Sequence, residues 1–333
     1  MNNRQNTCGS LLLASHQYQS LQPGARLIVT GAVHGNETCG TVAIRRLIRE
    51  LDSAQIRLQK GALTLVPVAN PLAYQRGERQ GDRNLNRRLL PTNAPQEFED
   101  HVANWLCPLL AAHDVLLDLH SFRGEGEAFV LVGPENNDGA IEPFAHAAAE
   151  LAMAARLGVT RMVDGWLSTY AKGVARRQQR LAADADARTR ADADTRFGVG
   201  TTEYMRSTGG YAVTLECGQH QDAAAPEVAY RAIINTLAGL GMLAGATSAP
   251  APQAMESLRI DDVIDKHHND DRFLRNWHSF DPVSAGELIG IRADGSEVRA
   301  EQDGRMIFPD AGAQAGEEWF YLTRFTDRAA KAL

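Results

Sequence analysis

Residues 31–37, Gly-Ala-Val-His-Gly-Asn-Glu, are the stretch that does most to decide the fold of this chain. They follow an apolar run at residues 26–30 and precede a helix-like pattern at 38–51. This order predicts a strand that ends in a glycine-flanked turn before a helix. The turn carries His34 and, three residues later, Glu37. An imidazole and a carboxylate at that spacing can bind one metal ion together.

Further apolar runs alternate with helical patterns through the first 240 residues. The runs are continuous rather than alternating, which is typical of strands covered on both faces. The fold class predicted from this alternation is α/β, with a mixed, mostly parallel sheet flanked by helices. The other predicted strands are 63–68, 115–119, 129–132 and 211–215, and the predicted helices are 38–51, 96–112, 140–157 and 226–242.

The chain changes character after residue 243. Residues 244–253 combine glycine, serine and proline, which is typical of a linker, and short strand-like pieces with turn signals follow. We therefore predict an α/β domain at 1–246 and a small C-terminal β domain at 254–333. An Ala/Asp/Arg-rich segment at 181–196 interrupts the first domain and fits an exposed helix or a loop equally well.

The composition of the chain argues against nucleic-acid and membrane partners. The 333 residues carry a formal charge of -7, and nucleic-acid binding normally needs a basic face. No apolar run approaches the roughly 20 residues of a membrane helix, and no signal peptide is evident. The four cysteines, Cys8, Cys39, Cys107 and Cys217, show no paired spacing, so reduced thiols in a cytoplasmic protein are expected. The sequence does not determine the oligomeric state, and it is compatible with a homo-oligomer.

His120 supplies the third candidate metal ligand, because it ends the apolar run 115–119 and so also lies at the carboxyl end of a strand. His34, Glu37 and His120 form the two-histidine, one-carboxylate set that catalytic zinc uses with an open fourth position. One Zn²⁺ per chain is therefore predicted. Asp118 is a candidate to orient a ligand imidazole. Taken singly, each histidine also fits a structural role. A metal site is favoured only by the two together, because both lie at strand ends and one stands in a glycine-flanked turn.

Candidate groups for acid–base chemistry and anion binding follow other predicted strands. Glu216 closes the run 211–215, where a carboxylate could move a proton near the metal, and a buried strand-end glutamate in an ion pair is the alternative. Asn86 and Arg87 stand side by side, and a guanidinium with an amide donor suits a carboxylate. Arg79 and Arg206 are further candidates in polar loops, where arginines are most often simply solvated.

Four segments resemble the succinylglutamate desuccinylase/aspartoacylase family of the zinc carboxypeptidase clan. They are residues 31–37, Asn-Leu-Asn-Arg at 84–87, Asp-Leu-His-Ser at 118–121, and residues 206–218 from Arg-Ser to Glu-Cys-Gly. Their order and context agree over about residues 25–240. The resemblance implies a zinc carboxypeptidase-like fold whose small C-terminal β domain covers the site.

The resemblance also implies a role for each candidate residue. Zinc would be held by His34, Glu37 and His120, with Glu216 as general acid/base. Asn86 and Arg87 would bind the α-carboxylate of an N-acyl amino acid, Arg79 would stabilise the oxyanion, Arg206 would engage a substrate carboxylate, and Tyr321 would be supplied by the C-terminal domain. Two departures bear on specificity: Asn84 stands where the family usually has an acid, and the segment 181–196 lengthens the interval before Glu216.

The sequence thus predicts a zinc-dependent amidohydrolase that cleaves a small-molecule N-acyl amino acid into a carboxylate and a free amino acid. A zinc carboxypeptidase acting on short peptides would use the same ligands and the same Asn86/Arg87 clamp, and is the alternative. A metal- or ligand-binding protein that keeps the fold without catalysis is a third reading. The acyl group and the amino acid are not determined by the sequence.

Overall fold

A computed structural model describes residues 11–180, 194–245 and 250–332 of the chain. Most of the Ala/Asp/Arg-rich segment, residues 181–193, lies outside the described residues, as do Cys8 and residues 246–249 of the predicted linker. Within the described ranges, no helix is both long enough and apolar enough to cross a membrane.

The described residues form fourteen strands and seven α-helices. The strands are β1 His16–Gln19, β2 Arg26–Gly31, β3 Ala62–Val66, β4 Val115–Phe122, β5 Phe129–Leu131, β6 Arg161–Asp164, β7 Tyr211–Gln219, β8 Glu256–Asp265, β9 Arg272–Phe273, β10 Pro282–Val283, β11 Leu288–Ile291, β12 Glu297–Arg299, β13 Gly304–Ile307 and β14 Glu318–Phe325. The helices are α1 Cys39–Asp52, α2 Pro71–Arg76, α3 Phe98–Ala111, α4 Ala147–Ala154, α5 Trp166–Arg180, α6 Thr201–Ser207 and α7 Ala225–Gly239. Short 3-10 helices lie at Thr195–Gly198 and Arg328–Ala332.

Eleven of these strands form one sheet in the order β1-β3-β2-β4-β7-β5-β6-β8-β14-β13-β10. The four strands β3, β2, β4 and β7 run parallel, and their carboxyl ends therefore meet at one edge of the sheet. Antiparallel pairs flank this group, β1 with β3 on one side and β5 with β7 on the other. The predicted mixed α/β sheet is confirmed, with parallel pairing concentrated where the candidate site residues lie.

Both faces of the parallel strands are buried, which explains their unbroken apolar sequences. On β2, Leu27 and Val29 pack into a core with Ile44 of α1 and Ile233 of α7. Ile28, between them, points to the opposite face and packs with Leu106 of α3. The parallel strands are thus fixed between two helical layers, and the turns at their ends are held in place by the core.

The C-terminal strands extend the same sheet. β8 pairs in parallel with β6, and β14, β13 and β10 follow in antiparallel order. The remaining three strands, β12, β11 and β9, form a small separate sheet. The predicted boundary between 246 and 254 stays a prediction, but the strands on its two sides are joined by backbone hydrogen bonds.

The predicted helix at 140–157 is wrong in its first part. The pattern at 140–157 predicts a continuous helix, whereas α4 begins only at Ala147. Residues before it form a loop in which Asn137 and Phe144 exchange backbone hydrogen bonds of 2.8 and 2.9 Å. Pro143 cannot continue a helix, and this cross-loop pair satisfies the backbone groups instead.

Candidate metal centre and active site

The turn after β2 is held by close backbone packing. A side chain at Gly35 would lie 2.0 Å from the carbonyl carbon of Ala73 in α2, so only glycine fits there. Ala32 adopts a left-handed φ of 48°, which is uncommon for a residue with a side chain. This tight turn sends His34 and Glu37 back over the carboxyl end of the sheet.

The structure brings the three predicted metal ligands together. His34, Glu37 and His120 are all buried, and each offers one ligand atom within 4.8 Å of the other two. Nδ1 of His34 lies 2.8 Å from one carboxylate oxygen of Glu37, and Nδ1 of His120 lies 2.8 Å from the other. The two imidazole rings meet edge to face, with 5.0 Å between their centroids.

The outward nitrogens of both histidines are held by a second layer of polar groups. Nε2 of His120 lies 2.8 Å from Asp118, whose other oxygen accepts a hydrogen bond from Thr30. Nε2 of His34 lies 3.0 Å from Oδ1 of Asn84. That oxygen also accepts the Asn86 backbone N–H, so it is an acceptor and His34 donates from Nε2. Asn84 therefore orients the imidazole of His34, as an acidic side chain at this position would. The Nδ1 atoms of both histidines face the carboxylate of Glu37.

The donor set fits a divalent metal ion. Among the described residues, Nδ1 of His34 is a buried nitrogen that makes no hydrogen bond, although a Glu37 oxygen lies 2.8 Å away. A buried polar atom without a hydrogen bond is rare and calls for a ligand. Two imidazole nitrogens and a carboxylate are among the ligands that zinc prefers. The site is therefore suited to one ion coordinated through Nδ1, Oε and Nδ1.

Electrostatics agree with a cation at this position. Burial lowers the pKa of His34 to about 4, which keeps its imidazole neutral. Burial opposes charge on Glu37, but the adjacent His34 and His120 outweigh it and hold the pKa of Glu37 well below its usual range. Burial likewise opposes charge on His120, and its carboxylate neighbours Asp118 and Glu37 raise its pKa well above the ordinary value. A positive charge is thus favoured between Glu37 and the histidines.

Glu216 lies beside the ligand cluster. It sits on β7 directly across from His120 on β4, and its side chain is buried. Its Oε2 atom makes no hydrogen bond within the described part of the chain. Burial, followed by the negative charge of Glu37, raises the pKa of Glu216 to about 8. A carboxyl group in this position can both accept and donate a proton near neutral pH.

Arg79 joins the same cluster from the loop after α2. Its guanidinium donates to Oε1 of Glu37 at 2.9 Å, and its backbone carbonyl accepts the N–H of Gly35 at 3.3 Å. The side chain is 47% exposed, which leaves other donors free to face the cavity. Its position is compatible with stabilising a developing oxyanion.

Asn86 and Arg87 lie a short distance along the same wall. Oδ1 of Asn86 accepts the Thr201 backbone N–H at 2.9 Å, so its amide N–H donors are the part left for a ligand. The Arg87 guanidinium lies over the Trp166 ring, 5.0 Å from its centroid, and 3.9 Å from Glu318. Its side chain is 12% exposed and is positioned by this stacking. These two side chains have donors that could bind a carboxylate together.

One cavity of about 1230 Å³ connects all of these groups. Tyr321, on β14, is buried in its wall and packs 5.6 Å from the Trp166 ring. The C-terminal strands thus contribute a tyrosine to the lining of the cavity. Its contact with a substrate stays a prediction.

Arg206 also lines the cavity, but its donors are used inside the protein. Nε donates to Glu150 at 3.0 Å, Nη1 to Glu142 at 2.8 Å, and Nη2 to the Ala212 carbonyl at 2.8 Å. Glu203 lies 3.4 Å from Nη1. The structure therefore places Arg206 at the site without leaving it the free donor pair that its predicted role in binding a substrate carboxylate requires.

The sequence did not reveal the three glutamates around Arg206. It also did not reveal Thr201 and Trp166, which contact Asn86 and Arg87. Glu203 precedes Arg206 by three residues on α6, a spacing that favours a helical ion pair and could have been noticed. Glu142 and Glu150 approach from a loop and from α4, at sequence separations of 64 and 56 from Arg206. No local pattern gives such contacts. Cys39 and Cys217 are both buried and free, and their side chains interact with each other near Glu37.

The family can be assigned from this sequence. Residues 23–234 match the family model described as "Succinylglutamate desuccinylase/Aspartoacylase catalytic domain". The chain belongs to the succinylglutamate desuccinylase/aspartoacylase family. The matched range contains every candidate site residue except Tyr321. Members of this family are amidohydrolases.

Curated relatives of the family resemble this chain over short stretches. A succinylglutamate desuccinylase of Pseudomonas paraeruginosa is 38% identical over 64 residues, which is 19% of this chain and 19% of that protein. The N-acyl-aromatic-L-amino acid amidohydrolase (carboxylate-forming) of Rattus norvegicus is 36% identical over 115 residues, 31% of this chain and 35% of that protein. The alignments thus span well under two thirds of these relatives.

Solved structures share the fold over nearly the whole chain. A succinylglutamate desuccinylase/aspartoacylase from Rhodobacter sphaeroides superposes with a TM-score of 0.67 at 18% identity, covering 94% of this chain and 88% of that one. The product-bound Ectoine utilization protein EutE (DoeB) from Ruegeria pomeroyi gives 0.64 at 20% identity, covering 91% and 86%. The C-terminal strands are therefore part of the shared architecture.

Proposed function

We propose that this protein is a zinc-dependent amidohydrolase that cleaves an N-acyl amino acid into a carboxylate and a free amino acid. The observation that carries the proposal is the convergence, in one cavity, of the His34, Glu37 and His120 donor set with the unpaired carboxyl oxygen of Glu216. Family membership supports the reaction class, and the carboxylate clamp of Asn86 and Arg87 supports the substrate class.

In this proposal each side chain has one task. A zinc ion held by His34, Glu37 and His120 would supply a Lewis acid beside the scissile carbonyl and make bound water more acidic. Glu216 accepts a proton from the attacking water and later donates it to the departing amine. Arg79 donates hydrogen bonds to the oxygen that gains negative charge.

The remaining groups bind and orient the substrate. Arg87 and the amide of Asn86 hold the α-carboxylate, which fixes the scissile bond relative to Glu216 and lowers the entropic part of the barrier. Tyr321 closes the cavity from the C-terminal strands, while Arg206 belongs to its wall. A location in the cytoplasm stays a prediction from cysteine usage.

A hydrolysis screen tests the proposal. N-acyl amino acids that differ in acyl group and side chain are incubated with the protein, with and without a chelator, and release of the free amine is measured. We expect hydrolysis of at least one member, its loss on chelation, and its return on adding zinc. Short peptides run in parallel address the carboxypeptidase alternative. Faster cleavage of peptides than of every acyl amino acid would favour that alternative instead.

A substitution of Asp118, whose carboxylate contacts His120, gives a second test. Asp118→Asn removes the carboxylate that orients His120, and we expect zinc affinity to fall on the order of 10- to 100-fold. Competition with a chromogenic chelator measures the zinc Kd directly, independent of turnover. Asp222→Asn, on an exposed loop, is the matched control. An unchanged zinc Kd in Asp118→Asn would remove Asp118 from the metal site.

A further inference from the structure

Glu318 lies between two arginines of the cavity wall and is hydrogen-bonded to neither. Its Oε1 atom is 3.9 Å from Nη2 of Arg87 and 3.9 Å from Nη1 of Arg177. Both distances are longer than the roughly 2.8 Å of a charge-assisted hydrogen bond. All three residues line the cavity that contains the metal-ligand set. The two guanidinium groups therefore share one carboxylate that neither of them binds closely.

Arg177 has unused hydrogen-bonding capacity. Its Nη1 atom donates to Asp265 at 3.1 Å, whereas Nε and Nη2 are buried and make no hydrogen bond with a described residue. A guanidinium has five N–H donors, and buried donors without a partner are rare enough to call for an explanation. The side chain of Arg177 is 17% exposed, so it is still in contact with the cavity.

The spacing of the two arginines suits a single carboxylate. Because one oxygen of Glu318 is 3.9 Å from both nitrogens, Nη2 of Arg87 and Nη1 of Arg177 are at most twice that distance apart. A carboxylate between them, with one oxygen toward each arginine, can make a hydrogen bond of about 2.8 Å to each. Both guanidinium groups also lie near the Tyr170 ring, 5.7 and 5.1 Å from its centroid, which limits their movement.

Charge balance indicates that Glu318 must leave when such a carboxylate binds. Arg87 and Arg177 are balanced by Glu318 and Asp265, so a further carboxylate would give the group a net negative charge. Asp265 is buried and hydrogen-bonded to Arg177, whereas Glu318 is 25% exposed at the start of β14. Glu318 is therefore the carboxylate of this group that can turn away toward solvent.

We infer that Arg87 and Arg177 together bind the substrate carboxylate, and that Glu318 occupies the place between them until the substrate displaces it. This inference rests on the proposed function and adds two residues to its substrate-binding set. Arg177 contributes a charge and a hydrogen bond to the bound carboxylate. Glu318 opposes binding, because it competes for the same two guanidinium groups.

A carboxylate without a scissile bond tests binding separately from catalysis. The probe is 4-methylpentanoate, titrated calorimetrically into the whole chain loaded with zinc. We expect Arg177→Met to raise its Kd about tenfold, because a charge-assisted hydrogen bond is lost, and Arg177→Lys to recover part of the affinity. Arg176→Met is the matched control: Arg176 is on the same helix but pairs with Asp262, outside the cavity, at 2.6 Å. Equal effects of Arg176→Met and Arg177→Met, or none in either, would overturn the role of Arg177.

Glu318→Gln is expected to change the affinity in the opposite direction. The amide keeps the size of the side chain and removes the competing charge, so the Kd of the same probe should fall about tenfold. Glu301→Gln, on an exposed loop, is the control for loss of a negative charge and should leave the Kd unchanged. Weaker binding in Glu318→Gln would make Glu318 a support for the arginines rather than a competitor, and would overturn the inference.

Kinetics of the same variants separate this inference from the proposed function. With the N-acyl amino acid that is hydrolysed fastest in the screen, KM should rise in Arg177→Met and fall in Glu318→Gln, with much smaller changes in kcat. Hydrolysis with KM and probe Kd unaffected by both substitutions would overturn the inference and leave the proposed function standing. The expected changes in probe Kd, in a protein that hydrolyses no acyl amino acid, would overturn the proposed function and leave the two-arginine site standing.

Discussion

Glu216→Gln is expected to lower kcat on the order of 100-fold or more while the protein still binds zinc. The amide keeps the size of the side chain and its place on β7 beside His120 but cannot accept a proton. The three proposed metal ligands are untouched, so zinc content should stay that of the wild type. Steady-state kinetics together with metal analysis on the same preparation measure both quantities.

The same substitution should not destabilise the fold. Oε2 of Glu216 is buried without a hydrogen bond in the described residues, so the amide of the same size loses no hydrogen bond there. We therefore expect Tm to stay the same or rise. Glu227→Gln, on the exposed face of α7, is the control for loss of a charge. Near-normal turnover in Glu216→Gln would end its assignment as general acid/base.

Arg87→Ala is expected to raise KM by about 100-fold with a much smaller change in kcat. The reason is that the Arg87 side chain is only 12% exposed and lies 3.9 Å from its nearest carboxylate, on Glu318, so a substrate carboxylate can become its close partner. Removing one partner of a desolvated charge pair costs several kcal/mol. Initial rates over a wide range of substrate concentration separate the two constants.

Two controls keep that result interpretable. Arg49→Ala, on the exposed side of α1, tests for a general effect of losing an arginine. Arg87→Met keeps much of the packing on Trp166 without the charge, so it should resemble Arg87→Ala in KM. An unchanged KM with a collapsed kcat in both variants would assign Arg87 to the chemical step instead.

The metal site could be predicted from the sequence because each ligand lies at or just beyond the carboxyl end of a strand whose type is visible locally. His120 comes directly after a continuous apolar run, and His34 lies in the turn that follows another. The parallel pairing of β2 with β4 brings the ends of those runs together. The turn is specified by Gly35, where only a residue without a side chain fits. Local chemistry and sheet geometry therefore agree at this edge.

Other features depend on contacts that sequence patterns do not encode. The partners of Arg206 come from a loop and from α4, so neither their presence nor their neutralising effect on the arginine is visible in the sequence. The pairing of β8 with β6 is likewise a long-range choice: the break at 244–253 is typical of a linker, but the strand after it returns to the same sheet. Tertiary packing decides such cases.

Zinc stoichiometry is the most direct test of the central claim, that His34, Glu37 and His120 together hold one ion. Purified protein is incubated with zinc, desalted and analysed by mass spectrometry of its metal content. We predict about one zinc per chain for the wild type and for His268→Ala, an exposed control, and almost none for His34→Ala. A wild type that retains no zinc, or a His34→Ala variant that retains as much as the wild type, would contradict the account.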